Sequence, residues 1–315
     1  MDRPILLVDA YNLFMRSFVA NPAMSSQGQQ IGGFIGFLTS LKLLSERLTP
    51  KRVVVVWEGG GATRRRAIYK DYKSGRKPPK LNRYYEDDIP ETPENQDNQI
   101  RLIIEALRNV PVQQIYVPDC EADDVIGYIS KYLFSDDKIV IVSSDKDLYQ
   151  LIDDRVTQWS PGQKRFITAP DVKEKFGVFP CNMSLVRSFI GDPSDNIPGI
   201  EGAGFKTMVK RFSTLAENVS LSVQDVLDLA ESSESQKVKL IQNIRAQGDI
   251  VRRNWRLMHL DISNLSADQI NKIRGAVEVY EPKKNKLALM RILVREGVQN
   301  FDVDAFFMSL SATTH

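Results

Sequence analysis

Short apolar runs recur along the chain, and each gives way to acidic residues. The run 4–8 ends at Asp9, 53–57 at Glu58, and 115–117 is soon followed by Glu121, Asp123 and Asp124. The run 138–142 leads into Asp145 and Asp147, and 185–190 into Asp192 and Asp195. Between the runs apolar residues fall at helical spacing, as with Ile31, Phe34, Ile35, Leu38, Leu41 and Leu44. This alternation predicts an α/β unit with a parallel sheet. Strands are expected near 4–8, 53–57, 113–117 and 138–142, with helices over 12–18, 28–48, 100–108, 121–134 and 146–152.

From about Pro170 the alternation stops and helices dominate. A glycine-rich turn opens into a helix over 199–212. A polar stretch, 220–235, reads as a loop with a weak helix, 236–257 as helical, and the C-terminal tail as a closing helical element. Two domains are expected, 1–172 and 173–315. The polar, acidic stretch 82–98, punctuated by Pro90 and Pro93, predicts a mobile segment.

Composition excludes several classes. With 42% hydrophobic and 26% charged residues, the chain of 315 residues is a folding sequence, not a disordered one. Two cysteines and two histidines supply neither a disulfide framework nor a zinc quartet, which fits a reducing cytoplasm. No apolar stretch reaches membrane-spanning length, and the N-terminus reads as a strand rather than a signal peptide. The net charge of +2 hides a basic block, 64–80, followed directly by the acidic stretch.

In parallel sheets the carboxyl ends of the strands face the binding crevice. Asp9, Glu58, Glu121, Asp123, Asp124, Asp145, Asp147, Asp192 and Asp195 are therefore expected to converge there, where they would repel one another unless cations sit among them. Oxygen donors without His or Cys select Mg²⁺, with Mn²⁺ able to substitute. Each acidic run also has a bland reading. Glu121–Asp124 suits a helix N-terminus, Asp145 an N-cap, and Asp192 and Asp195 a turn beside proline. Three such coincidences are less probable than one shared site. Two ions flanking a phosphate ester imply metal-assisted phosphodiester hydrolysis.

The basic block interleaves Arg64, Arg65, Arg66, Lys70, Lys73, Arg76 and Lys77 with Tyr69 and Tyr72, a composition suited to phosphates and stacked bases. A solvated basic loop is its bland alternative. Gly199, Gly202 and Gly204 allow backbone N–H groups to face a phosphate, and Lys206, Lys210 and Arg211 add charge. Together they read as a duplex clamp, indifferent to base sequence and sensitive to salt.

The motifs EADD, SSDKDLYQL and GDPSDNIPGIEGAG, in this order, resemble those of the 5′-nuclease (flap endonuclease) family over most of residues 4–260. They are similar to the 5′→3′ exonuclease domain of bacterial DNA polymerase I and to stand-alone phage enzymes. The resemblance implies an α/β fold with a central, largely parallel mixed sheet flanked by helices (PIN-like), a helical domain with a helix–three-turn–helix motif at about 185–215, and Mg²⁺-dependent cleavage near the junction of duplex and 5′ single strand. It implies that Asp9, Glu121 and Asp123 hold one ion and Asp145, Asp147 and Asp192 the other, with Asp124 and Asp195 in support. Tyr72, Lys73 and Arg76 match a stretch acting at the scissile phosphate. Arg16 and Arg65 match basic positions nearer the 5′ strand, and residues 199–207, Thr207 included, match a duplex-binding turn able to hold K⁺. Glu58 departs from the family's usual aspartate, and residues 64–99 correspond to a mobile arch. The implied substrates are DNA with a 5′ flap, a nick or an RNA primer junction. Also implied are a monomer, replication proteins as partners, and a cytoplasmic site of action, the host's if phage-encoded. Two alternatives stay open: a catalytically inactive junction-binding protein, and an RNA-cleaving relative.

Overall fold

Three strands carry almost unbroken runs of buried β-branched and aliphatic residues, which suits strands covered on both faces. They are β1 (Ile5–Asp9), β2 (Arg52–Trp57) and β4 (Ile139–Val142), whereas β3 (Gln113–Tyr116), at the sheet edge, has only Gln113 and Ile115 buried. The computed structural model describes residues 3–75, 93–232, 238–311 and 313. Two further strands, β5 (Val156–Ser160) and β6 (Arg165–Ile167), complete a six-stranded sheet of order β3-β2-β1-β4-β5-β6. All neighbours are parallel except β5 and β6. Strand order reverses between β1 and β4, so the crevice at a topological switch point opens beyond Asp9 and Val142.

One face of the sheet is covered by α1 (Ala10–Ala20), α2 (Gly32–Leu48) and α4 (Pro93–Leu107). α3 (Ala62–Ile68) lies between β2 and α4 in the chain. The other face is covered by α5 (Ala122–Tyr128), continued by a π-helical turn at Ile129–Leu133. A third buried cluster unites α6 (Ala169–Phe176), α7 (Met183–Ile190), α8 (Phe205–Arg211), α9 (Val223–Ser232), α10 (Lys239–Ala246) and α11 (Gly248–Met258). The chain then returns to the sheet. α12 (Ala267–Glu278) joins the α5 face, whereas α13 (Lys286–Arg295) and α14 (Val303–Ser309) join the α2 face.

Several expectations are corrected. β5 and β6 were not foreseen, because VTQWS and RFI mix polar and apolar residues at the less covered end of the sheet. The helix expected from residue 28 begins at Gly32, and the loop expected at 220–235 contains the full helix α9. The arch expected over 64–99 is structured at both ends. Residues 64–68 belong to α3, and α4 starts at Pro93, anchored by buried Gln99, whose Oε1 accepts the Phe34 N–H at 2.9 Å. Its middle, and Arg76 with it, lies outside the described residues. Among the described residues, no helix is long and apolar enough to cross a membrane.

Candidate active site

Each acidic residue is delivered by the end of an element. Asp9 closes β1 and caps α1, accepting the Asn12 N–H at 3.1 Å and the Ser143 hydroxyl at 2.9 Å. Glu58 follows β2, and its Oε2 accepts the Ala122 N–H at 3.3 Å, so the longer side chain spans to the start of α5. That span is short because the 59–61 loop lies directly against residues 117–121. A Cβ on Gly59 would sit 1.7 Å from the Val117 carbonyl oxygen. Glu121 is the N-cap of α5, and Asp123 and Asp124 fill its first turn. Beyond β4, the Ser143 Oγ accepts the Asp145 N–H at 3.0 Å, and Asp145 in turn accepts the Asp147 N–H at 2.8 Å. Gln158 of β5 donates to the carbonyls of Ser143 and Asp145, both at 2.8 Å, fixing the loop from below.

The last two acids come from the helical region. Asp192 caps a short 3₁₀ turn, Pro193–Asp195, accepting the Ser194 N–H at 2.9 Å. Buried Asn254 of α11 ties this segment down, donating to Ser188 O at 2.9 Å and Pro198 O at 2.8 Å. Glu121, Asp123, Asp145, Asp147, Asp192 and Asp195 line one small cleft together with Lys73, Tyr72 and Arg65. Within it, carboxylate oxygens of Asp147, Asp192 and Asp195 lie within 4.8 Å of one another. Asp195, expected only in support, is thus a geometric member of the cluster.

The electrostatics divide the set. Glu121 is ion-paired to Arg65 and Lys73, and Asp124 accepts two bonds from Arg65 at 2.6 and 2.9 Å. Arg187 bridges Asp147 and Asp192. Asp9, by contrast, is pushed up to about 7, first by burial, then by Asp145 and Glu58, against its hydrogen bonds from Asn12 and Ser143. Burial and then Asp145, Asp9 and Glu121 hold Asp123 well above the usual carboxylate range. Asp145 is raised by burial despite the opposing pull of Arg187. Glu58 is raised by the protein around it and by Glu121, although its tip meets solvent. Burial and mutual repulsion favour protons on these groups, and a multivalent cation would replace those protons.

A divalent cation fits these donors. They are carboxylate oxygens without His or Cys, the chemistry of a hard cation, and the guanidinium between Asp147 and Asp192 already shows the pair accommodating positive charge.

With this geometry, a family comparison is decisive. The model of the 5′-3′ exonuclease, N-terminal resolvase-like domain, matches residues 4–177. The chain belongs to the 5′→3′ exonuclease family. A 5′-3′ exonuclease of Aquifex aeolicus is 34% identical over 209 residues, 66% of this chain and 68% of that protein. One from Bacillus subtilis is 32% identical, covering 70% and 75%. Among solved structures, a flap endonuclease of bacteriophage T5, in a pseudo-enzyme-product complex with DNA and metal ions, superposes with a TM-score of 0.70. The match covers 87% of this chain and 98% of the phage protein at 21% identity, a likeness of fold.

Two expected substrate contacts of this nuclease sit elsewhere than the motif suggested. Arg65 is only 4% exposed, and besides its two carboxylates it donates to Leu257 O at 2.8 Å. It ties α3 to α11 at the floor of the cleft. Burial works against its charge, but Asp124 and Glu121 outweigh that and hold its pKa above the ordinary value. Tyr72 is buried in a small apolar cluster with Ile197, Leu257 and Met258, so its ring cannot stack on a base. Its hydroxyl instead donates to Glu121 at 3.3 Å. Arg64 is likewise occupied, bonding Asn264 Oδ1 at 2.7 Å and Ser263 O at 2.9 Å. Asp124 faces Arg65 and Asn264 rather than the cleft. Gly199 is required by close packing, since a Cβ there would lie 1.9 Å from Ile190 O; Gly202, at φ +86°, makes the turn.

Lys206, Thr207 and Lys210 lie on α8, just after Gly204 at its N-cap, with Lys206 and Thr207 exposed and Lys210 likewise; Arg16 is exposed on α1. Sequence reasoning missed Arg187, Ser143, Gln158 and Asn264. Arg187 had one signal available: a lone charge inside the apolar run 185–190, five residues before Asp192.

Proposed function

We propose that this nuclease hydrolyses a phosphodiester near the junction of a 5′ single strand and duplex DNA, as a 5′→3′ exonuclease and flap endonuclease, using two Mg²⁺ ions. The observation that carries the reading is the convergence of Glu121, Asp123, Asp145, Asp147, Asp192 and Asp195 in one cleft beside Lys73. Asp9, Glu58, Glu121 and Asp123 form the donor set at the sheet, and Asp145, Asp147, Asp192 and Asp195 the set at the helical side. When bound, the ions would supply Lewis acidity, lowering the pKa of a water and offsetting negative charge at the phosphate. Mn²⁺ substitutes, being another hard cation of similar preference.

The chain's own groups supply the rest. Lys73 offers an ammonium on the rim of the cleft, where a phosphate meets both the acidic set and a positive charge. Arg65 and Tyr72 hold Glu121 in place from beneath, which keeps the donor set pre-arranged. Lys206, Thr207 and Lys210 of α8, with the 199–204 turn, clamp duplex backbone, the turn taking K⁺ through its carbonyls. Arg16 on α1 contacts the 5′ strand.

Product release from 5′-labelled flap, nicked-duplex and single-stranded substrates, with Mg²⁺ and with EDTA, tests the reading. Mg²⁺-dependent release from flap and nicked substrates, faster than from single strands, is expected. Tight flap binding without any cleavage would instead support a junction-binding protein.

A further inference from the structure

Two short turns from distant parts of the chain meet at the lip of the cleft, and each contains a residue in the left-handed region. Lys73 has φ +56° and Asn196 φ +59°. Asparagine adopts that conformation readily, whereas lysine does so rarely and needs its surroundings to impose it. Here the surroundings are specific. The Lys73 N–H donates to Asp195 O at 2.9 Å. The Asn196 side-chain amide donates to Asp71 O at 3.1 Å and to Ser74 Oγ at 2.9 Å, gripping the turn on both sides of Lys73. The Lys73 ammonium then reaches Glu121, and the neighbouring Tyr72 hydroxyl reaches the same carboxylate.

We infer that Asn196 is a positioning residue for Lys73. Its side chain locks the 71–74 turn onto the 192–197 turn, so that the ammonium enters the cleft from a fixed backbone. This rests on the proposal that Lys73 acts on the scissile phosphate. The turn bearing Lys73, whose ammonium pairs with Glu121, is thereby tied to the turn bearing Asp192 and Asp195. Asn196 is exposed, and its side-chain amide spends both of these bonds on the 71–74 turn.

Asn196→Gly separates this role from a general one, because glycine keeps the left-handed backbone and deletes only the amide. The single-turnover rate on a saturating flap substrate should fall about tenfold, with the flap Kd changed less than about twofold. In the Lys73→Ala background the same substitution should slow the reaction no further, since residues acting as a unit are non-additive. Ser74→Ala, which loosens the grip from the other side, should shift the rate in the same direction. In metal-free protein the Lys73 amide should exchange hydrogen faster in Asn196→Gly than in the parent, an effect independent of catalysis. An unchanged rate in Asn196→Gly, or a full further loss in the double variant, would overturn the inference while leaving Lys73 in its role. If Lys73→Ala itself cleaves at the parent rate, the role proposed for Lys73 fails, and the inference with it.

Discussion

Glu121 and Asp123 stand two residues apart at the start of one helix, and the protein treats them in opposite ways. Glu121 is surrounded by Arg65, Lys73 and Tyr72. Asp123 faces Asp9 and Asp145, and burial with their charge holds its pKa well up. The same division runs across the cleft: Asp147 and Asp192 share Arg187, while Asp145 is raised. Among the described residues no ion pair reaches Asp9, Asp123 or Asp145. The fold therefore neutralises its outer carboxylates internally and leaves the inner ones for an external cation. Within the proposed donor sets, the first group is also held by the protein's own cations and the second is not, so the two can be tested separately.

Removing an inner carboxylate has the largest expected effect on chemistry. Asp123→Ala or Asp145→Ala should lower Mg²⁺-dependent single-turnover cleavage roughly 10³-fold or more while flap binding persists, since deleting negative charge does not weaken phosphate contacts. The corresponding Asn variants should raise the melting temperature in EDTA by relieving repulsion. A residual rate within tenfold of the parent would move those residues out of the metal centre.

The outer pairs should behave oppositely. Arg65→Met strands Glu121 and Asp124 in a buried setting and should cost about 3–5 kcal/mol in denaturant unfolding, with or without metal. Arg187→Met should cost less, about 1–3 kcal/mol in EDTA, and Ca²⁺ should restore much of it by taking over the charge between Asp147 and Asp192. Equal losses in EDTA and Ca²⁺ for Arg187→Met would break the comparison.

Acid–base linkage gives a subtler test. Asp9 is held at about 7 when folded, raised by burial from an ordinary value near 3.8. Between those values the unfolded chain has released a proton that the folded protein keeps. Its contribution to metal-free stability is therefore full below the lower value and lost as pH climbs through the upper one. Asp9→Asn should flatten that part of the stability–pH curve in EDTA. Saturating Mg²⁺ should oppose the decline, because binding requires the deprotonated carboxylates. The smallest effect is expected at the periphery: Lys206→Ala should weaken duplex binding a few-fold and reduce the salt slope by about one. A slower saturated single-turnover rate in that variant would reassign Lys206 from clamp to chemistry.

Strands β1, β2 and β4 and the acidic residues beyond them were legible because burial on both sheet faces demands unbroken apolar runs, as in RVVVVW of β2. Glu121–Asp124 does stand at a helix N-terminus, and there Glu121, the N-cap of α5, and Asp124, in its first turn, both meet Arg65. Arg65 and Tyr72 were misread because a basic, aromatic segment looks the same in sequence whether its groups turn outward to phosphate or inward to carboxylates. β5 and β6 escaped notice because half-covered strands tolerate polar residues, and Gln158 of β5 uses its amide to hold the Ser143–Asp145 loop.

By itself, then, the order of residues determined which acidic side chains stand at the ends of elements, since local periodicity and charge are written in adjacent positions. Only the tertiary structure decided which acids are compensated and which are not. That depends on Arg65, Lys73 and Arg187 meeting carboxylates far away or across turns, and on burial that no local pattern encodes. Electrostatic energy is set by distance and surroundings in three dimensions, and the chain specifies these only after it has folded.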